Sequence, residues 1–294
     1  MPNYAQDPPR GYVRIIAYLA SKVKYYGIGK IRYCMVLCYN IPMDSPQDRY
    51  QQYLDFVRKY SKNLGYKGDH TKGEIEMIFD VSLFPECEKG AMERMFKTGV
   101  TKEDAEKRAQ IGIFDENRWG VSVHEPLRLP DGTYTTFNRW ISWSTLDSGH
   151  AGVVVAPFLS DGRLIFIKNF RNATKNWCLE FPRGGKDLGN NIIKTVKNEL
   201  SEEIGAELIE DPKKIGEVFP DSGVLASRVD VFSCKIKLSG VPEHEGTEAI
   251  KGMVLMSKDD IKKVIEVQKY TDEDGKIYEF KDGFTLTTLR LLNI

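Results

Sequence analysis

The sequence has little that would tie it to a membrane, a thiolate metal site or a polyanion. No apolar run approaches the ~18 residues needed to span a bilayer, so no spanning helix is expected. Lys+Arg and Asp+Glu both number 42 in 294 residues, and the resulting net charge of zero gives no general pull toward nucleic acid or acidic lipid. Cysteine is scarce. Cys34, Cys38, Cys87, Cys178 and Cys234 lie mostly in apolar, strand-like runs without zinc spacing, and read as buried thiols of a reducing compartment. None of the four histidines pairs with a cysteine or another histidine at ligand spacing. Met1–Arg10, MPNYAQDPPR, lacks the charged start and apolar core of a secretory signal, so the expected location is cytoplasmic. What is present is a hydrophobic content of 41%, enough for a packed core and too much for a disordered chain. The length leaves room for two domains.

The most informative stretch is 184–206, GGKDLGNNIIKTVKNELSEEIGA. Ile192, Ile193, Val196, Leu200 and Ile204 recur at helical spacing, which predicts one buried stripe. Glu199, Glu202 and Glu203 then crowd a single polar edge, because residues three and four apart are neighbours on a helix. Like charges so placed weaken a bare helix by a few tenths of a kcal/mol per pair, roughly, and a bound divalent cation would reverse that sign. Carboxylate oxygens with no Cys or His nearby suit a hard ion such as Mg²⁺ or Mn²⁺. The other reading is a surface helix whose glutamates are simply solvated.

The segment resembles the Nudix box, G-x5-E-x7-R-E-U-x-E-E-x-G-U with U a bulky aliphatic. Gly184 opens it, Glu199-Leu200 and Glu202-Glu203 follow, and Gly205-Ala206 close it. Asn190 stands where the pattern has Glu, and Asn198 where it has Arg. In the family those two side chains form a salt bridge; two amides could replace it by a hydrogen bond. The flanks extend the likeness. Val153–Ala156 and Leu164–Lys168 read as strands split by the turn Ser160-Asp161-Gly162. Phe170-Arg171, Trp177 and then Leu179-Glu180-Phe181-Pro182-Arg183-Gly184 resemble the ADP-ribose pyrophosphatase branch of the superfamily. So do Val218–Gly223, Glu245-Gly-Thr-Glu248, the strand Met253–Met256, the helix from Asp259, and Lys281–Thr285 opening a last helix.

The resemblance spans about Arg118 to Ile294 and implies a Nudix α/β/α sandwich with a mixed sheet, assigned to residues 116–294. It implies metal-dependent hydrolysis of a nucleoside diphosphate linked to another group, such as ADP-ribose, giving AMP and a sugar phosphate. Glu199 and Glu203 are then the first metal ligands, with Glu202 sharing or acting behind them and the Arg183 backbone carbonyl joining the shell. Glu248, or failing it Glu245, would be the catalytic carboxylate. Arg171 would contact the diphosphate, since its planar fork engages phosphate oxygens two at a time. Arg183, Pro220 and Ser222 would complete the substrate side. Trp177 reads as a core residue more than a base-stacking one. In this branch the leading strands often exchange between subunits, which implies a homodimer, with Arg139 or Trp140 reaching across. Two other functions stay open: a Nudix enzyme acting on capped RNA or dinucleotides, and a ligand sensor that kept the fold without turnover, for which Asn190 and Asn198 are the hints.

Residues 1–115 resemble no family. Helices are expected over Tyr12–Tyr26, from Ser45-Pro46, over Glu88–Lys97 and over Thr101–Gln110, with strands at Ile31–Tyr39 and Glu74–Leu83. This order describes a small α/β module joined near Phe114–Arg118. Its basic-aromatic stretch, Lys22, Lys24, Tyr25, Tyr26, Lys30 and Arg32, reads as a solvated helix end in preference to a nucleic-acid contact, given the neutral charge. Trp119–Val123 and Tyr134–Trp143 are expected as strands split by the turn Leu129–Gly132.

Overall fold

Ser45 begins the first described helix by a reciprocal cap. Its hydroxyl accepts from Asp48 N while the Asp48 carboxylate accepts from Ser45 N, and Pro46 takes the first turn, where no N–H is needed. The helix, α1, runs Pro46–Tyr60. The computed structural model describes residues 45–243 and 249–294. The expected helix over Tyr12–Tyr26, the strand over Ile31–Tyr39, the stretch Lys22–Arg32, Cys34, Cys38, Glu245 and Glu248 lie outside the described residues. The described residues belong to one compact unit.

Two sheets build that unit. In the smaller, β3 (Gly120–Arg128) pairs antiparallel along its full length with β4 (Tyr134–Ser142). On its other side it carries β1 (Glu76–Met77) and β2 (Gly112–Glu116). The β3–β4 turn closes as expected, with Gly132 N donating to Leu129 O and Thr133 N to Asp131 Oδ1. The strand expected over Glu74–Leu83 is shorter than its alternation implied. The Asp80 carboxylate captures Ser82 N and turns Val81–Leu83 into a 3₁₀ helix. Helices α2 (Phe84–Lys97) and α3 (Lys102–Arg108, capped by Thr101) follow. Tyr50 and Tyr53 of α1 pack with Phe84, Cys87 and Ile111, while Phe56 and Leu64 pack with Val121, Val123 and Ile141. The join expected near residues 114–118 therefore lies inside this sheet, between two strands that pair. After β4 comes the short helix α4 (Trp143–Ser148).

The larger sheet is mixed. Its ten strands are β5 (Gly152–Phe158), β6 (Leu164–Arg171), β7 (Asn176–Glu180), β8 (Arg183–Gly185), β9 (Ala206–Leu208), β10 (Lys213–Val218), β11 (Val229–Leu238), β12 (Ile250–Met256), β13 (Lys269–Thr271) and β14 (Ile277–Glu279). The path is β10-β11-β5-β6-β7-β14-β13, with β8 on β5, β9 on β11 and β12 on β6. β11 runs parallel to β5, and β14 to β7; the other pairs are antiparallel. Alternation along β5 and β6 divides the core. Val154, Ala156, Leu164 and Phe166 meet Ile261 of α6 (Lys258–Val267) and Leu289 of α7 (Gly283–Leu291). Val153, Val155, Ile165 and Ile167 meet Val196, Leu200 and Ile204 of α5 (Ile192–Ile204). Helices thus cover both faces of a mixed sheet, the α/β/α sandwich expected for residues 116–294. Trp177 packs against this core, its ring 5.6 Å from Phe170 and 6.0 Å from Tyr278. Cys87, Cys178 and Cys234 are buried free thiols, and burial pushes Cys87 and Cys234 up to about 12. Among the described residues no helix is long and apolar enough to cross a membrane.

Candidate active site

The α5 helix starts at Asn191, whose side chain accepts from Lys194 N at 2.8 Å, and stops at Gly205, whose φ of 61° suits a residue without Cβ. Between these caps the apolar stripe faces the sheet and turns the acidic edge toward β8. Glu203 is 3% exposed, and its Oε2 accepts from Arg183 N at 2.9 Å. Glu199 reaches Gly184 closely: a Cβ on Gly184 would lie 2.0 Å from Glu199 Oε1 and 2.4 Å from Oε2. Two box carboxylates therefore converge on the Arg183–Gly184 backbone, and the box glycine is the cradle that admits one of them. Glu202 lies on the same helix and is partly buried. Among the described residues, no three acidic, histidine or cysteine side chains gather closely enough to hold a metal ion between them.

A charged cluster adjoins this pair. Glu180, at the end of β7, is fully buried and accepts from Asn169 Nδ2 at 3.0 Å and Arg171 Nε at 3.1 Å. Arg171 Nη2 lies 2.5 Å from its other oxygen, and Arg183 Nη2 approaches at 3.3 Å. Arg183 Nη2 also donates to Asp282 Oδ1 at 3.1 Å, its guanidinium lies 4.5 Å from the Phe284 ring centroid, and its buried Nε has no hydrogen-bond partner among the described residues. Burial works against the charge on Arg171, but Glu180, and behind it Asp282 and Glu203, outweigh that and raise its pKa. Asp282 in turn caps α7, accepting from Thr285 N, while Thr285 Oγ1 accepts from Phe181 N. The start of the last helix is so fastened to the strand that enters the box. Glu180 and Asp282 were not singled out from the sequence. A buried Glu inside an apolar strand, two residues before a proline, was the available signal for the first.

The remaining expected residues are placed differently. Asn190 Nδ2 donates to Asp187 Oδ2 at 3.1 Å and its Oδ1 accepts from Lys194 Nζ at 3.1 Å. Asn198 instead lines a surface hollow with Lys197, Ser201 and Glu207. The amide–amide brace does not form, because Asn190 is spent on the helix start while Asn198 faces β9. Pro220 and Ser222 are exposed on the loop after β10. That loop is pinned to β4, Trp140 N donating to Val224 O and Ala226 N to Trp140 O. Among the described residues no hydrogen bond joins Pro220 or Ser222 to the box. Arg139 is committed within its own chain, to Glu125 at 2.6 Å and Leu64 O at 2.9 Å.

No family model matches the chain, and no curated protein matches it in sequence. Among solved structures it is similar to a crystal structure described as an ADP compounds hydrolase. The TM-score is 0.50 at 16% identity, over 62% of this chain and 89% of that one. The likeness is one of fold.

Proposed function

We propose that the chain hydrolyses the diphosphate of a nucleoside diphosphate linked to a second group, of the ADP-ribose kind, releasing AMP and a sugar phosphate. The observation that carries this reading is the convergence of Glu199 and Glu203 on the Arg183–Gly184 turn. The fold shared with an ADP compounds hydrolase supports it. Two carboxylates fit a hard divalent cation, since Mg²⁺ is ordinarily held by one or two carboxylates with waters and substrate phosphates. Mg²⁺ or Mn²⁺ bound there would neutralise phosphate charge and lower the pKa of an attacking water. The chain's own residues supply the rest. Glu180 holds Arg171 and Arg183 side by side, two guanidiniums whose planar forks suit phosphate oxygens. Glu202, Glu245 and Glu248 are the carboxylates to test for the general-base role, with the substrate loop of Pro220 and Ser222 and a homodimer as further parts of the same proposal.

Glu203→Gln is the direct test. The amide keeps the size and an acceptor for Arg183 N while removing charge, so AMP release from ADP-ribose with Mg²⁺ should fall about 10²–10⁴-fold with little change in substrate binding. Turnover at the normal rate would remove Glu203 from the metal site. A second reading, a ligand sensor without turnover, is favoured by the missing Asn190–Asn198 brace. A panel of ADP-ribose, NAD, dinucleoside polyphosphates and capped RNA decides between them: binding without AMP release from any member selects the sensor.

A further inference from the structure

A hollow of about 370 Å³ lies between α2, the end of α3, β3 and β4. Arg94, Arg108, His124, Thr136, Phe137 and Asn138 line it, and no described Asp or Glu does. In a chain whose acids and bases balance, two guanidiniums with no acid among the lining make this hollow locally positive. Arg94 is already positioned. Its Nη1 donates to Thr135 Oγ1 at 3.1 Å and its guanidinium lies 5.2 Å from the Phe137 centroid, which leaves further N–H donors for a ligand. Among the described residues the Arg108 guanidinium has an exposed contact of 3.9 Å to Asp104, a pair of small worth. Phe137 is 42% exposed and shares the lining with both arginines. His124 stacks on Phe114 at 4.1 Å and has Nδ1 3.1 Å from Gln110 O. Burial lowers its pKa, with backbone hydrogen bonds to Gln110 and Arg108 working the other way.

We propose that this hollow binds a nucleoside monophosphate. Arg94 and Arg108 take the phosphate, Phe137 offers a ring face to the base, and His124, Thr136 and Asn138 supply partners for the sugar hydroxyls. Each part answers to one feature of the ligand: a fork for phosphate oxygens, an aromatic for stacking, neutral acceptors for hydroxyls. The volume sits at the small end of ligand pockets and suits one nucleotide. A nucleic-acid strand would need a basic track with several stacking rings. The hollow shares no lining residue with the box, so the proposal stands whether or not the box turns over substrate.

Titration calorimetry of the full chain with AMP, in EDTA so that no metal serves the box, tests it. The expected result is saturable binding of one AMP per chain. Arg94→Gln should weaken it about tenfold and Phe137→Ala about fivefold. Phe137 is exposed, so its variant carries the test if Arg94→Gln does not fold. Absence of saturable heat up to about 10 mM AMP overturns the proposal. So does wild-type affinity in both hollow variants, which would place AMP elsewhere on the chain. Equal affinity for inorganic phosphate, or far tighter binding of oligoadenylate, likewise overturns it in favour of a bare-anion or a strand site.

Discussion

Among single residues, Gly184 decides whether Glu199 can meet the strand that opens the box. A methyl group there would stand 2.0 Å from a carboxylate oxygen, so Gly184→Ala must push Glu199 aside. Displacing a reacting group by about 1 Å costs on the order of 10²-fold in rate, and that is the expected loss of AMP release. The short edge strand β8 should absorb the change, leaving the thermal transition near that of wild type. A normal rate in Gly184→Ala would mean that Glu199 does not work from this position. Helical spacing set Glu199 and Glu203 on one edge, and Gly184 was read from the resemblance to the box. Asp282 was not. It reaches Arg183 across 99 residues of sequence, and no local pattern marks a helix-capping aspartate as the partner of a site arginine. Glu180 was hidden differently: its charge is neutralised by residues on two strands, so it lies in an apolar run without the usual penalty.

Between elements, the same polar groups decide where helices start and how peripheral strands dock. Asn191 caps α5 whereas Asn198 faces a surface hollow, so the two asparagines should behave oppositely. Asn191→Ala should cost about 1 kcal/mol, and Asn198→Ala should stay within about 0.5 kcal/mol of wild type. Equal destabilisation in urea would restore a structural role for Asn198. Helix starts such as Ser45-Pro46 and Thr101 are legible because their chemistry is local. The β13–β14 hairpin is not; it is fastened by Asp272, whose carboxylate meets Lys168 at 2.9 Å and accepts from Tyr278 Oη at 3.0 Å. The Lys168 bond, helped by Lys276 N and Tyr278, holds the Asp272 carboxyl down to about 2. Because the folded value lies below the unfolded one, near 3.9, the stabilisation is complete above about pH 4 and is lost as pH falls toward 2. The gap in melting temperature between wild type and Asp272→Asn should be constant from neutrality to about pH 5 and close below pH 4. A gap that persists at pH 2 would show that the ionised carboxylate is not what fastens the hairpin.

For the whole molecule, the question is which residues the sandwich needs in order to fold. The sandwich itself follows from alternation: successive residues of β5 and β6 serve opposite faces, and α5 on one side and α6 with α7 on the other have apolar stripes to meet them. The smaller sheet escaped a reading by segments because its pairing is long-range. Glu76 pairs with Arg128, and β2 pairs with β3 across the point where a module boundary was expected. On its buried side Val121 and Val123, with no exposure, and Ile141 at 1% rest on Phe56 and Leu64. Glu125 is buried as well; burial raises its pKa, Arg139 partly offsets that, and Arg139 in turn leans on Leu64 O. A chain beginning at residue 118 would keep the box yet expose that apolar face and leave Arg139 without its carbonyl partner. An exposed face of this kind drives association, and a buried ion pair stripped of its hydrogen bonds is costly. Such a chain should elute as soluble aggregate and lack a cooperative thermal transition, whereas a chain beginning at Ser45 should melt in one step. A monodisperse, cooperatively melting 118–294 would instead make the second half an independent domain and reduce α1 and β1 to an attached layer.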